Sequence, residues 1–398
     1  MRSRLVRLGR SGCGRGGGRL PPPAAPALPP PPGRNGGRPA SSLSRGRAHP
    51  PTNTTPRWGG PPPPLGGAAA AAGRRRPLSG PPTPAAPPPP PAAAAPPVPA
   101  DPYDRTALTV IGAGQMGAGI AQVAAATAAF DAVHVADGRP GAAAAAVAAI
   151  GDRLDRRVAG GKMTAAAAGT AKGLLAALDG VDAGAIGAAS SVVIEAITED
   201  AGAKADLFRR LGDAAPPTTL LASNTSSISI TRLAAAAAVG GHPGRVIGLH
   251  FFHPVPVMRV VELIPALTST PSAVAAGRGV AAALGKTPAV VADGPGFVAN
   301  RLLMPYINEA VGVLAAGAAS RNDIDAVMVG GTGVPMGPLA LADFIGLDTC
   351  VSIMRVLEEG LGGGYKPAPL LVAHVAAGWV GVKAGRGFYT YENGKRVA

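Results

Sequence analysis

Short apolar runs separated by longer stretches of helical spacing pattern the chain from residue 106 onward. Thr106-Ala-Leu-Thr-Val-Ile111, Ala132-Val-His-Val-Ala136, Ser191-Val-Val-Ile194 and Thr219-Leu-Leu-Ala222 are β-favouring and too brief for helices. Ala-rich and amphipathic segments lie between them, one running to about residue 129 and one carrying Lys204 to Arg210. Alternation of this kind predicts a parallel sheet with right-handed crossovers, whose ligands sit beyond the carboxyl ends of the strands. Glu195, Glu199, Ser223 and Asn224 fall at those ends. Past Gly294 the β-favouring runs thin out, and helical patterns cover about 296–316, 321–329 and 339–361.

The first run feeds Gly112-Ala-Gly114-Gln115-Met116-Gly117 and then a helix, the context a G-x-G-x-x-G match requires. Gly112 permits the tight turn, Gly114 lets a pyrophosphate approach the backbone, and Gly117 lets helix and strand pack closely, with the helix N-terminus facing the phosphates. The second run ends in Asp137, 25 residues after Gly112. An acid there accepts from the adenosine ribose hydroxyls and repels a 2′-phosphate, so NAD is the expected cofactor. Arg139 could offset that repulsion and admit NADP, and Asp137 could instead cap the helix after Pro140.

The expected fold class is therefore α/β, with a dinucleotide-binding domain of the Rossmann type over 105–293 and a smaller all-helical domain over 294–391. The second domain would share the substrate cleft. Residues 1–104 form a disordered leader and 392–398 a tail.

Composition sharpens these boundaries. Residues 1–100 hold 14 Arg and 28 of the 44 prolines with no Asp, Glu or Lys, so the chain's +14 charge resides there and 23 basic residues face 23 acidic ones in the remainder. A balanced globular part argues against nucleic-acid binding, which needs clustered cations. Arg2, Arg4 and Arg7 interspersed with Leu5, Val6 and Leu8 fit an organellar transit peptide, mitochondrion favoured over plastid. A solvated tail or a mistaken start site is the alternative, and the protein would then be cytoplasmic. No apolar run approaches the ~18 to 20 residues of a membrane helix, and two cysteines support neither a disulfide framework nor a metal cluster. Arg153, Arg156, Arg157 and Lys162 form a basic stretch, either a solvated face or a contact with an anionic ligand larger than a nicotinamide cofactor.

Chemistry concentrates in three places: Ser223-Asn-Thr-Ser-Ser227, Asn300 in Asp293-Gly-Pro-Gly-Phe-Val-Ala-Asn-Arg301, and His250 with Glu262 on two apolar segments joined by a proline-punctuated turn. There is no Gly-x-Ser-x-Gly elbow and no His pair at zinc-binding spacing. An imidazole base, a carboxylate to orient its tautomer, and hydroxyl and amide donors are the parts of a secondary-alcohol oxidation with hydride transfer. Read singly, His250 could be a core histidine, Glu262 a strand-edge charge and Ser226 a helix cap.

From residue 106 to 391 the chain resembles the L-3-hydroxyacyl-CoA dehydrogenase family, including the 3-hydroxybutyryl-CoA dehydrogenases. The resemblance is carried by the Gly112 signature, Glu195-Ala-Ile-Thr-Glu199, Ser223-Asn-Thr-Ser-Ser-Ile228, Gly248-Leu-His-Phe-Phe-His-Pro-Val-Pro256, Gly294-Pro-Gly-Phe297 with Asn300, and Gly331-Thr-Gly-Val-Pro-Met-Gly-Pro338. It implies that His250 is the catalytic base and Glu262 its partner, with Ser226 and Asn300 hydrogen-bonding the reacting oxygen. Glu199 and Lys204 would meet the nicotinamide end of NAD, Asp137 the ribose, and Asn224 would join the cofactor site. His253 and Lys162 would contact an acyl-CoA substrate, and the helical domain would form a homodimer interface through Met304, Tyr306, Ile307 and Val311, unless these are internal core. His253 departs from the family's usual Asn, extra residues fall near Gly240-Gly241, and Arg386 replaces a common acid. A relative acting on a non-CoA hydroxy acid, such as a gulonate dehydrogenase or a crystallin-like protein, and a non-catalytic NAD-binding protein are the competing readings.

Overall fold

The computed structural model describes residues 105–397; the expected leader and transit peptide lie outside them. The order is β1 (Ala107–Ile111), α1 (Gln115–Thr127), β2 (Ala132–Asp137), α2 (Ala142–Ala159), α3 (Ala165–Gly173), β3 (Leu175–Asp179), α4 (Ala183–Ala189), β4 (Val192–Glu195), α5 (Ala201–Ala214), β5 (Leu220–Ser223), α6 (Ile230–Ala237), β6 (Val246–Phe251), β7 (Val260–Pro265), α7 (Pro271–Ala283) and β8 (Thr287–Val290). The eight strands form one sheet in the order β3-β2-β1-β4-β5-β6-β7-β8. The first six strands are mutually parallel, β7 runs antiparallel to β6, and β8 follows the direction of β7.

Alternation across the pleat sorts the core into two layers. Leu108 and Val110 of β1 join Ile120, Ala124, Ile150 and Leu154 on one face, while Ile111 joins Leu207, Phe208, Leu211 and Leu233 on the other. Both faces of the sheet are covered, which is why the central strands read as unbroken apolar runs.

The remaining residues form α8 (Ala299–Ala315), α9 (Arg321–Thr332), α10 (Pro338–Ile345), α11 (Leu347–Leu361) and α12 (Pro369–Ala376), closed by the hairpin β9 (Tyr391–Glu392) and β10 (Lys395–Arg396). The helical stretch expected over 339–361 is two helices, because Gly346 at φ +104° turns the chain between them. Of the two alternatives for Met304, Ile307 and Val311, internal core holds: they are buried within this domain's own core, and Tyr306 is partly buried against it. Residues 392–396 are paired strand and turn, so the hairpin extends past residue 391.

Two buried carboxylates hold the helical domain's joints. Asp343 accepts from the Phe388 and Tyr389 amides, each at 2.9 Å, and from the Tyr391 hydroxyl at 3.0 Å. Asp325 accepts from the Leu339 and Ala340 amides and the Tyr389 hydroxyl at 2.9–3.0 Å.

Candidate active site

The glycine turn fits a dinucleotide. Gly112 stands at φ +113°, where a Cβ would meet the Ala196 carbonyl oxygen at 2.3 Å, and a Cβ on Gly117 would meet the Gly112 oxygen at 1.8 Å. A Cβ on Gly114 would meet nothing within 4 Å, so open space lies in front of the first turn of α1. That turn has no side-chain cap and no acid, which leaves the amide face around Gln115 and Met116 to an anionic group.

Asp137 closes β2 beside this turn. Its carboxylate accepts from the Ala113 amide at 2.8 Å and from the backbone and guanidinium of Arg139. The Arg139 hydrogen bond holds its pKa down to about 2. Asp137 does not cap α2, whose N-cap position is Gly141. The cation that could have welcomed a 2′-phosphate is paired with the acid that repels one.

A buried charge network links the ends of β4 and β5. Lys204, 1% exposed, directs its ammonium at Glu195, at Glu199 Oε2 (3.3 Å) and at the Ile197 carbonyl (3.4 Å), which occupies its three donors. Ser223 donates to the other oxygen of Glu195 at 2.6 Å. Burial raises the pKa of Glu195, whereas at Glu199 the upward push of burial is overcome by Lys204 and the donors around it. Those donors are the Thr225 hydroxyl (2.6 Å), the Ser226 amide (2.8 Å), and the Ser227 and Ser226 hydroxyls (3.1 and 3.2 Å). Ser226 is therefore held by Glu199 and is not a helix cap; Ser229 caps α6.

His250 and Glu262 stand directly opposite each other across the β6–β7 pair. His250 Nδ1 lies 2.7 Å from Glu262 Oε2, and Glu262 Oε1 accepts from the Val298 and Ala299 amides at 3.1 and 2.9 Å. Burial pushes the Glu262 carboxyl up, but the imidazole and those amides outweigh it and hold the pKa below its ordinary value. An ionised Glu262 can only accept, so Nδ1 keeps its proton and donates it in this hydrogen bond, and the lone pair of His250 resides on Nε2, the nitrogen left for proton transfer. The rings of Phe252 and Phe297 flank the imidazole at 4.8 and 6.0 Å.

The turn before α8 makes this possible. Gly296 and Phe297 both adopt positive φ, +70° and +50°, and so aim the helix's first amides at Glu262. The helix begins at Ala299, later than expected, and Asn300 in its first turn donates to the Ser226 carbonyl at 3.0 Å. Both domains thus meet at Ser226 and Glu262. Asn224 serves the same assembly, accepting from the Phe251 amide at 2.9 Å next to His250.

Two expected residues lie apart from this cluster. His253 is exposed, 6.0 Å ring to ring from Phe344 of α10. Lys162 is exposed beyond α2, where Arg156 is exposed and Arg153 and Arg157 are partly buried. Sequence reasoning missed the Glu195–Lys204 pair and the amides of 298–299. An acid ending an all-apolar strand was the available signal for the first, and Gly294-Pro-Gly-Phe for the second. Among the described residues no group of three or more metal-binding side chains is assembled, and no helix is long and apolar enough to cross a membrane.

A Rossmann-type fold, a dinucleotide turn fitted to NAD and a His–Glu pair at the strand ends define an NAD-dependent oxidoreductase. The chain belongs to the 3-hydroxyacyl-CoA dehydrogenase family: residues 107–294 match its NAD-binding domain and 296–391 its C-terminal domain. It is 46% identical over 286 residues to a probable 3-hydroxybutyryl-CoA dehydrogenase of Bacillus subtilis, covering 72% of this chain and 97% of that one. The human mitochondrial hydroxyacyl-coenzyme A dehydrogenase is 40% identical over 291 residues, 72% of this chain and 91% of the relative. The crystal structure of (S)-3-hydroxybutyryl-CoA dehydrogenase from Ralstonia eutropha superposes with a TM-score of 0.68 at 40% identity, covering 73% of this chain and all of that one.

Proposed function

We propose that the chain oxidises short-chain L-3-hydroxyacyl-CoA, with 3-hydroxybutyryl-CoA as the type substrate, to the 3-oxoacyl-CoA, and catalyses the reverse reduction. The observation that carries this reading is His250, fixed through Nδ1 on Glu262 so that Nε2 takes the 3-hydroxyl proton. NAD supplies the acceptor for the hydride that leaves C3. Glu262 stabilises the imidazolium that forms, and Ser226 with Asn300 hydrogen-bonds the reacting oxygen. Glu199 orders the serine segment beside the nicotinamide end, and Lys204 acts through it. Lys162 contacts the acyl-CoA away from the reacting carbon, and His253 acts on its binding from the β6–β7 connection. The four-carbon preference draws on the relatives named above.

The test is kcat/KM along a series of 3-oxoacyl-CoAs with NADH and NADPH in parallel, and along 3-hydroxybutyryl-CoA and free sugar acids with NAD⁺. The expected maximum is acetoacetyl-CoA with NADH. A free hydroxy acid as the better substrate would overturn the reading in favour of the non-CoA relatives.

A homodimer belongs to the same proposal. Leu302 and Val313 are 70% and 42% exposed, eleven residues apart and hence on one face of α8, and Val327 of α9 is 65% exposed. Sedimentation at one chain mass would remove the dimer. We place the activity in mitochondrial fatty-acid β-oxidation on the strength of the Arg-rich leader. A reporter fused to residues 1–104 that stays in the cytoplasm would remove that placement.

A further inference from the structure

The loop joining β6 to β7, residues 252–259, touches three parts of the molecule. Lys286, buried at the foot of β8, donates to the Val255 and Met258 carbonyls at 2.5 and 2.7 Å. Val255 is buried against α1 so closely that a Cβ on Gly119 would stand 3.0 Å from its side chain. The loop backbone is thereby clamped between the cofactor helix and the sheet. Outside the clamp His253 extends to Phe344, ring centroids 6.0 Å apart and planes inclined by 33°, within the range of attractive aromatic pairs.

Phe344 is 47% exposed and no part of the helical domain's core cluster, so neither domain needs this contact to fold. Phe252, next to His253, packs on the base at 4.8 Å, and Phe297 approaches the base at 6.0 Å from the start of α8. His250 thus has a ring neighbour at the entrance to α8, Phe297, while the loop that carries its other neighbour, Phe252, reaches α10 one residue further on through His253.

We propose that the His253–Phe344 ring contact is the latch of the interdomain cleft, holding the helical domain in its substrate-competent position, and that His253 is a positioning residue acting on acyl-CoA binding through Phe344. The proposal rests on the acyl-CoA reading above. Weakening a latch lowers the population of the binding-competent arrangement and raises the apparent dissociation constant by the same factor. The groups at the reacting carbon are untouched, so the effect falls on KM for the acyl-CoA and not on kcat.

The full chain, His253→Asn, Phe344→Ala, the double variant and Phe344→Tyr are assayed with acetoacetyl-CoA and NADH, with melting temperatures alongside. Each of the first two is expected to raise KM for acetoacetyl-CoA about 2- to 10-fold, the scale of one aromatic pair. KM for NADH and kcat stay at wild-type values, the double variant is no worse than the worse single, and Phe344→Tyr keeps the wild-type KM. An unchanged KM in His253→Asn, or single effects that multiply in the double variant, would overturn the latch. If Phe344→Ala does not fold, His253→Asn and Phe344→Tyr decide. A wild-type chain inactive on acetoacetyl-CoA would sink the substrate reading instead. Hydrogen exchange of the ligand-free chain then tests the latch by itself: faster exchange across 252–259 and α10 in His253→Asn is expected, and unchanged exchange there overturns it.

Discussion

The two domains bury carboxylates for different ends. In the helical domain Asp325 and Asp343 are satisfied by backbone amides and tyrosine hydroxyls, partners that do not titrate near neutrality. In the sheet domain Glu195 and Glu262 are satisfied in part by Lys204 and His250. A carboxylate against amides fixes the chain and does nothing more. Set against an ammonium or an imidazole, it also fixes a charge or a tautomer, and chemistry follows from that. Glu262 belongs to both classes at once, with His250 on one oxygen and the amides opening α8 on the other.

The largest effect that can break this contrast lies at His250. His250→Ala is expected to lower kcat/KM roughly 10²- to 10⁴-fold, far more than the modest drop in melting temperature from losing one of the partners of Glu262 would explain, read by steady-state kinetics and thermal melting. Asp343→Ala should do the reverse. It strands two buried amides and a hydroxyl, for a loss of about 2–4 kcal/mol in urea unfolding, while the folded fraction keeps its kcat/KM.

Glu262→Gln sharpens the contrast through pH. Because the folded pKa of Glu262 lies below its ordinary 4.5, its carboxylate contributes stability that is fully present above that value and is lost as pH falls through the folded one. Wild type should therefore melt above Glu262→Gln at pH 7, and the gap should close in acid. A gap independent of pH would place the effect in packing alone. The smallest effect is expected at the cofactor's far end. Asp137→Ser removes the carboxylate expected to accept from the ribose hydroxyls and frees Arg139, which should raise KM for NADH about tenfold and narrow its advantage over NADPH.

Much of this was legible because burial leaves a plain trace. β1, β2, β4 and β5 lie within one residue of their apolar runs, since strands covered on both faces need apolar side chains throughout. β3 and β8 left no such trace: both are edge strands, partly exposed, built from Ala, Leu and Asp in one case and Thr-Pro-Ala-Val in the other. His250 and Glu262 were visible as a pair because hairpin register sets them face to face. Glu199's grip on Thr225, Ser226 and Ser227 was not, because it depends on where separate strand ends converge. For Met304, Ile307 and Val311 of α8 the sequence left interface and internal core both open, and they pack internally; helical periodicity alone cannot make that choice, since core and interface carry the same pattern.

The most direct test of the central claim is chemical rescue at the base. His250→Gly, assayed for acetoacetyl-CoA reduction by NADH with and without added imidazole, should show a rate far below wild type that rises and saturates as imidazole fills the vacated position beside Glu262. A rate near wild type without imidazole would contradict the assignment of His250 as the base.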